Sequence, residues 1–166
     1  RIKLADKLPI KPIEPVEPPK PEPPTPTIVP QVPKDFRELR TLTGHSNILC
    51  SVAASPDGKY LASGGWDKNV IIWDAKSGQR LKKLKGHSHY VESVCWSPDG
   101  KYLASGAQDS TVIIWDANSG QRLKSLEGHS WSVESVCWSP DGKYLASGSV
   151  DGTVIIWDAK SGEKLK

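Results

Sequence analysis

GHSHYVESVCWSPDGKYLASGAQDSTVIIWDANSGQRLK, residues 86–124, is the stretch on which the reading of this chain turns. The same wording stands before it and after it. Gly-His recurs at Gly44-His45, Gly86-His87 and Gly128-His129, and Trp-Asp at Trp73-Asp74, Trp115-Asp116 and Trp157-Asp158, each with a step of 42 residues. Residues 86–124 and 128–166 agree at 31 of 39 positions, so the few that differ escape whatever constraint holds the rest.

Each copy breaks into short pieces. Ser-Pro-Asp-Gly stands at 55–58, 97–100 and 139–142. Proline sets φ for a turn's first corner and glycine accepts positive φ, so this is a hairpin turn. An alternating run precedes it (Leu49, Ser51, Ala53; then Val91, Ser93, Cys95; then Val133, Ser135, Cys137), and KYLASG follows as a second strand. A second tight turn carries Asp67, Asp109 or Asp151. VIIWD is apolar and β-branched, which predicts a strand buried on both faces. Ser-Gly at 77–78, 119–120 and 161–162 turns the chain into a fourth, outer strand. FRELRTLTGH matches QRLKKLKGH and QRLKSLEGH, so 37–42 is predicted to be a strand like 79–84 and 121–126. No segment carries a helical period.

A fixed step in the range of about 40–45 residues, with Gly-His near one end and Trp-Asp near the other, resembles the WD40-repeat family of β-propellers. The resemblance covers residues 36–166. It implies an all-β propeller segment of three four-stranded antiparallel blades, at 44–84, 86–126 and 128–166, plus the leading outer strand 37–42. Residues 1–35 hold 11 of the 14 prolines and are expected to form a disordered, extended tail that acts as a spacer. The PPKP, PEPP and PPTP frames of that tail also suit a proline-binding module.

Every copy offers a His, a Ser and an Asp, which invites a hydrolase reading. The resemblance implies a buried hydrogen-bonded tetrad instead: His45, Ser63, Asp67, Trp73; His87, Ser105, Asp109, Trp115; and His129, Ser147, Asp151, Trp157, with Ser149 a neighbouring candidate for Ser147. The residue types suit that role, since Trp only donates, Asp only accepts, and His and Ser do both. Three identical sets suit a clamp needed once per blade better than an active site needed once. We therefore expect no enzyme activity and no cofactor. His87-Ser88-His89 is a His-x-His pair, but no Cys or carboxylate cluster completes a metal site, so no metal is expected.

Between the second and third copies, His89-Tyr90 becomes Trp131-Ser132 and Ala107-Gln108 becomes Ser149-Val150; the first copy has Asn47-Ile48 and Gly65-Trp66 there. The resemblance places three positions per copy on one rim of the ring: Ile48, Cys50 and Trp66; Tyr90, Glu92 and Gln108; Ser132, Glu134 and Val150. Trp131 stands beside them. Aromatics with the carboxylates of Glu92 and Glu134 suit a protein or peptide partner bearing Arg or Lys.

The net charge of +3 is mild and no basic stripe is interleaved with aromatics, so no nucleic-acid partner is expected. No apolar run approaches the ~18 residues of a membrane helix, so no membrane partner is expected either. Cys95 and Cys137 alternate with Ala53, which marks small apolar side chains rather than bridge halves and predicts a reducing, cytoplasmic setting. Propellers have about 4–8 blades, and three would leave two apolar faces open. The chain starts at Arg1 and stops inside a repeat, so we expect a piece of a longer array; ring-completing self-association is the alternative, six blades from two chains or nine from three. The function these features imply is a non-enzymatic interaction scaffold within a larger multidomain signalling or regulatory protein. The alternative is the sensing region of an enzyme whose kinase, protease or nucleotide-switch domain lies upstream of Arg1.

Overall fold

A computed structural model describes residues 39–165, and all regular structure among them is strand. The proline-rich stretch 1–35 and the first two residues of the expected strand 37–42 lie outside them. β1 (Leu49–Ala54), β2 (Tyr60–Gly65), β3 (Asn69–Asp74) and β4 (Arg80–Lys85) pair in sequence order as one antiparallel sheet. β5 (Val91–Trp96), β6 (Tyr102–Ala107), β7 (Thr111–Asp116) and β8 (Arg122–Glu127) repeat it. β9 (Val133–Trp138), β10 (Tyr144–Ser149) and β11 (Val154–Asp158) form a third sheet. Its fourth strand is begun by an isolated Trp157–Lys164 bridge and by Leu165 N–H donating to Ile156 C=O at 2.8 Å.

The turns follow from the residues at their corners. In the first Ser-Pro-Asp-Gly turn, Gly58 takes φ of 70° and donates its N–H to Ser55 C=O at 2.9 Å. The Ser55 hydroxyl accepts from Tyr60 N–H at 2.9 Å and donates to Asp57 at 2.7 Å, which stitches the two strands at the corner. The aspartate of Trp-Asp caps the next turn: the Asp74 carboxylate accepts from Ser77 N–H at 2.6 Å, and Asp116 and Asp158 each accept the same bond at 2.7 Å.

Sheets pack face to face in chain order, inner strand beside inner strand. Ala62, Val70, Ile72 and Leu84 of the first sheet meet Val91, Val94, Trp96, Leu103, Ile113 and Trp115 of the second in one buried cluster. Forty-two residues on, Ala104, Val112, Ile114 and Leu126 meet Val133, Val136, Leu145, Ile155 and Trp157 in another. Cross-sheet hydrogen bonds set the register: Val94 N–H donates to Ser51 Oγ at 3.1 Å and Val136 N–H to Ser93 Oγ at 3.2 Å. Small residues let the sheets approach; a Cβ on Gly106 would stand 2.6 Å from Val133 Cγ1.

Three expectations are corrected. Residues 39–42 form no strand and join none of the three sheets among the described residues. They do follow the track of an outer strand: Leu42 and Arg40 lie against Gly78 just as Leu84 and Lys82 lie against Gly120. The alternation Val91, Ser93, Cys95 does not hold one face. Val91, Val94 and Trp96 face the first sheet, whereas Ser93 and Cys95 face the third. VIIWD is buried on both faces in β3 and β7 but only on one in β11, where no sheet among the described residues covers Val154 and Ile156 and both are exposed. Cys137 is exposed for the same reason, while Cys95 is partly covered; both are free thiols, as is Cys50. Burial pushes the Cys95 thiol up to about 12.

Candidate functional site

In each blade four polar side chains from three separate segments converge. Trp115 Nε1–H donates to Ser105 Oγ at 2.8 Å, and Ser105 Oγ lies 2.8 Å from His87 Nε2. His87 Nδ1 stands 3.0 Å from Asp109 Oδ2. The donor order that satisfies every atom is Trp N–H to Ser, Ser O–H to His Nε2, and His Nδ1–H to Asp. His45, Ser63, Asp67 and Trp73 repeat it with 2.8 Å at every link. His129, Ser147, Asp151 and Trp157 do so with 2.8 or 2.9 Å. Ser149 lies outside the network and donates its hydroxyl to Trp131 C=O at 3.1 Å. The indole also explains the glycine of Gly-His, since a Cβ on Gly86 would stand 2.7 Å from Trp115 Cη2.

A fifth member is invisible in the sequence motif. Thr111 donates its hydroxyl to Asp109 Oδ1 at 2.7 Å and Thr153 to Asp151 Oδ1 at 2.6 Å, where the first blade has Asn69. The backbone N–H after each histidine also reaches the carboxylate: Ser46 to Asp67, Ser88 to Asp109 and Ser130 to Asp151. Desolvation on its own would raise the Asp109 carboxyl; the hydrogen bonds from His87, Thr111 and Ser88 outweigh it and hold the group well below the usual carboxylate range. Asp67 is held low by the same balance. For Asp151 the Thr153 hydroxyl is the largest cause. The arrangement copies the polarity of a Ser–His–Asp triad yet denies the serine any substrate. Ser63, Ser105 and Ser147 are all buried, and an indole N–H already occupies the lone pair side of each Oγ.

A different set of residues gathers at the rim. In all three blades the inner strand bulges one residue after its start, so that two residues oppose one on the neighbouring strand. The unpaired residue is Cys50, Glu92 or Glu134. Just beyond the bulge a backbone bond ties the two loops together: Trp66 N–H to Ile48 C=O at 2.8 Å, Gln108 N–H to Tyr90 C=O at 2.9 Å, and Val150 N–H to Ser132 C=O at 3.0 Å. The two pairs of positions that drift between copies are therefore spatial neighbours, held by main chain that does not depend on their side chains. This bulge also flips the strand's facing pattern, the cause of the broken alternation above.

Where the first blade meets the second, the rim is most developed. Trp66 and Tyr90 stack with ring centroids 4.8 Å apart and planes 8° from parallel, and His89 lies 4.4 Å from Tyr90. Gln108 Nε2 donates to Glu92 Oε1 at 2.6 Å. Partial desolvation and then the adjoining Glu92 carboxylate push the Cys50 thiol up to about 11. The third blade's contribution is open: Ser132 Oγ donates to Glu134 Oε1 at 2.5 Å, and Trp131, Val150 and, in the first blade, Ile48 are exposed. Among the described residues no group of three or more His, Cys, Asp or Glu side chains could hold a metal ion.

Comparison with known proteins gives the same architecture. A family model described as the WDR19 first β-propeller matches residues 52–166. The small ribosomal subunit protein RACK1 of Caenorhabditis elegans is 43% identical over 42 residues, 25% of this chain and 13% of that protein. Ribosomal RNA-processing protein 9 of Saccharomyces cerevisiae (strain ATCC 204508 / S288c) is 49% identical over 37 residues, 22% of this chain and 6% of that one. Two solved structures superpose with a TM-score of 0.74 at 31% identity over 76% of this chain: the RRP9 WD40 repeats, of which 40% is covered, and U3-55K, of which 41% is covered. The chain thus spans a small part of these curated relatives and about two fifths of the solved neighbours.

Proposed function

This chain belongs to the WD40-repeat β-propeller family, and from that premise we propose that it is a non-enzymatic scaffold whose bulged rim binds a protein segment carrying Lys or Arg. The observation that carries the reading is the Trp66–Tyr90 stack beside Glu92. A flat aromatic pair next to carboxylates supplies apolar area and a charge for a cationic side chain. Carboxylates on this rim also repel a phosphate backbone, which favours a protein segment over a nucleic acid. The tetrads keep the blades intact and take no part in chemistry, since their serines are buried beneath the indoles.

Binding is measured by fluorescence anisotropy of labelled peptides at low salt. A Lys/Arg-rich peptide binds, an acidic peptide of equal length does not, and Glu92→Gln with Glu134→Gln weakens binding at least tenfold. Equal affinity for both peptides, or indifference to the double substitution, removes the rim assignment. A fluorophosphonate probe leaves Ser105 unlabelled in the folded chain; stoichiometric labelling there would restore the hydrolase reading.

A further inference from the structure

A second surface, at the opposite end of the strands from the rim, recurs at both junctions between blades. Between the first and second blades, Tyr60, Ile72, Leu81 and Lys82 face Trp96 and Asn118 across a groove of about 150 Å³. One repeat later, Tyr102, Ile114, Leu123 and Lys124 face Trp138 and Lys160 across a groove of about 270 Å³. Both grooves lie between neighbouring blades of this chain, so neither is an end face of the array. Tyr60 opens β2 and Trp66 follows its last residue, which puts the length of that strand, roughly 20 Å, between groove and rim.

Each groove has an apolar floor that the fold leaves uncovered. Tyr60 and Trp96 stack with ring centroids 6.3 Å apart, and Tyr102 and Trp138 at 6.4 Å. Beside them, each outer strand buries one leucine in the core and leaves another in water: Leu84 and Leu126 are buried, whereas Leu81 is 43% and Leu123 47% exposed. An apolar space of about 150 Å³ holds a benzene ring, so either groove admits the side chain of Leu or Phe. The second groove is also the less tightly tied. Trp96 gives its indole N–H to Ala53 C=O at 3.1 Å, while that of Trp138 is buried and meets no acceptor among the described residues.

Charge selects the occupant. Among the described residues Lys82, Lys124 and Lys160 form no ion pair. Lys124 Nζ is held by Ser161 C=O at 3.0 Å, which fixes its charge beside the groove. The acids nearby are already engaged: Asp99 pairs with Lys101 and Asp141 with Lys143, each at 3.5 Å, and Asp116 and Asp158 accept from Ser119 and Ser161 N–H in their own turns. We infer that these grooves dock an acidic segment of a partner protein, which seats a Leu or Phe side chain against the tyrosine and leucine and sets Asp or Glu beside the lysines. A phosphate backbone would answer the lysines alone and leave Leu81 and Leu123 in water. The second groove, with the greater volume and the additional Lys160, is the tighter site. This docking does not rest on what the rim binds.

Fluorescence anisotropy of a labelled peptide with one Phe among Asp and Glu residues tests it on the 166-residue chain. The peptide binds, and replacing its Phe by Ser weakens binding at least tenfold. Leu123→Ser with Lys160→Glu, both at exposed positions, does the same while the far-ultraviolet circular dichroism is retained; Lys160→Glu alone, on a solvent-facing turn, costs at least threefold and serves should the double variant unfold. Glu92→Gln with Glu134→Gln leaves this binding unchanged, and an acidic peptide without any apolar residue, the control of the rim experiment, stays free. Indole N–H resonances report the place: that of Trp138 shifts first and that of Trp96 at higher peptide concentration, with Trp66 and Trp131 unmoved. Absence of binding, shifts confined to Trp66 and Trp131, indifference to the substitutions or to loss of the Phe, or tighter binding of oligothymidylate overturns the inference.

Discussion

Blades two and three share the strand VIIWD and bury it differently. Val112 is 0% and Ile114 3% exposed, whereas Val154 is 71% and Ile156 48%. Their neighbours in the strand do not change: Ile113 and Ile155, Trp115 and Trp157 are all buried. The split follows the pleat, because alternate side chains point to opposite faces of the sheet. Those that face the preceding blade are covered in both copies. Those that face forward are covered only where another blade follows. The tetrad, by contrast, is built inside one blade and has the same geometry in all three. Two kinds of cohesion are therefore separable here, a polar clamp within each blade and apolar packing between blades.

The largest contrast should come from packing. Ile114→Ala costs about 2–5 kcal/mol through lost burial and a residual cavity. Ile156→Ala, half exposed already, costs under about 1.5 kcal/mol. Urea unfolding measures both; equal losses would erase the distinction. The clamp should show no such contrast. Ser105→Ala and Ser147→Ala each strand an indole N–H and a histidine nitrogen, at about 1–3 kcal/mol. A difference between the two beyond about 0.5 kcal/mol would mean that the tetrad senses the neighbouring blade. The subtlest test reverses sign. Gly106→Ala forces a Cβ into Val133 and destabilises by about 1–3 kcal/mol. Gly148→Ala meets open space and stabilises by about 0.4–1 kcal/mol through the unfolded chain. Thermal melts resolve the two directions, and a loss at Gly148 would show that its face is already covered.

Much of the blade was legible from residue types at fixed spacing. Pro-Asp-Gly and Ser-Gly mark the turns, and the tetrad members could be placed by their donor and acceptor inventories once the family resemblance was seen. Thr111 and Thr153 escaped notice because threonine two residues after an aspartate is common, and only the fold shows each hydroxyl meeting its own blade's carboxylate, Asp109 or Asp151. The bulge at Cys50, Glu92 and Glu134 was also missed. Ser51, Ser93 and Ser135 look like members of an unbroken alternation, and an extra residue in a strand leaves no mark in a pattern read two residues at a time. The leading strand 37–42 failed in an instructive way. Its residues match those of β4 and β8, and Leu42 sits where the match demands, yet residues 39–42 take no strand conformation.

The sequence by itself determined what one 42-residue step needs: four short strands, their turns and a satisfied polar cluster, all built from groups at most about one blade apart. Tertiary structure alone decided which copies of identical side chains meet protein and which meet water, and that Trp66 of one blade would lie flat on Tyr90 of the next. The physical reason is that hydrogen-bond capacity belongs to the residue, whereas burial belongs to its surroundings, and a repeated sequence reads the same whether or not a neighbour is there.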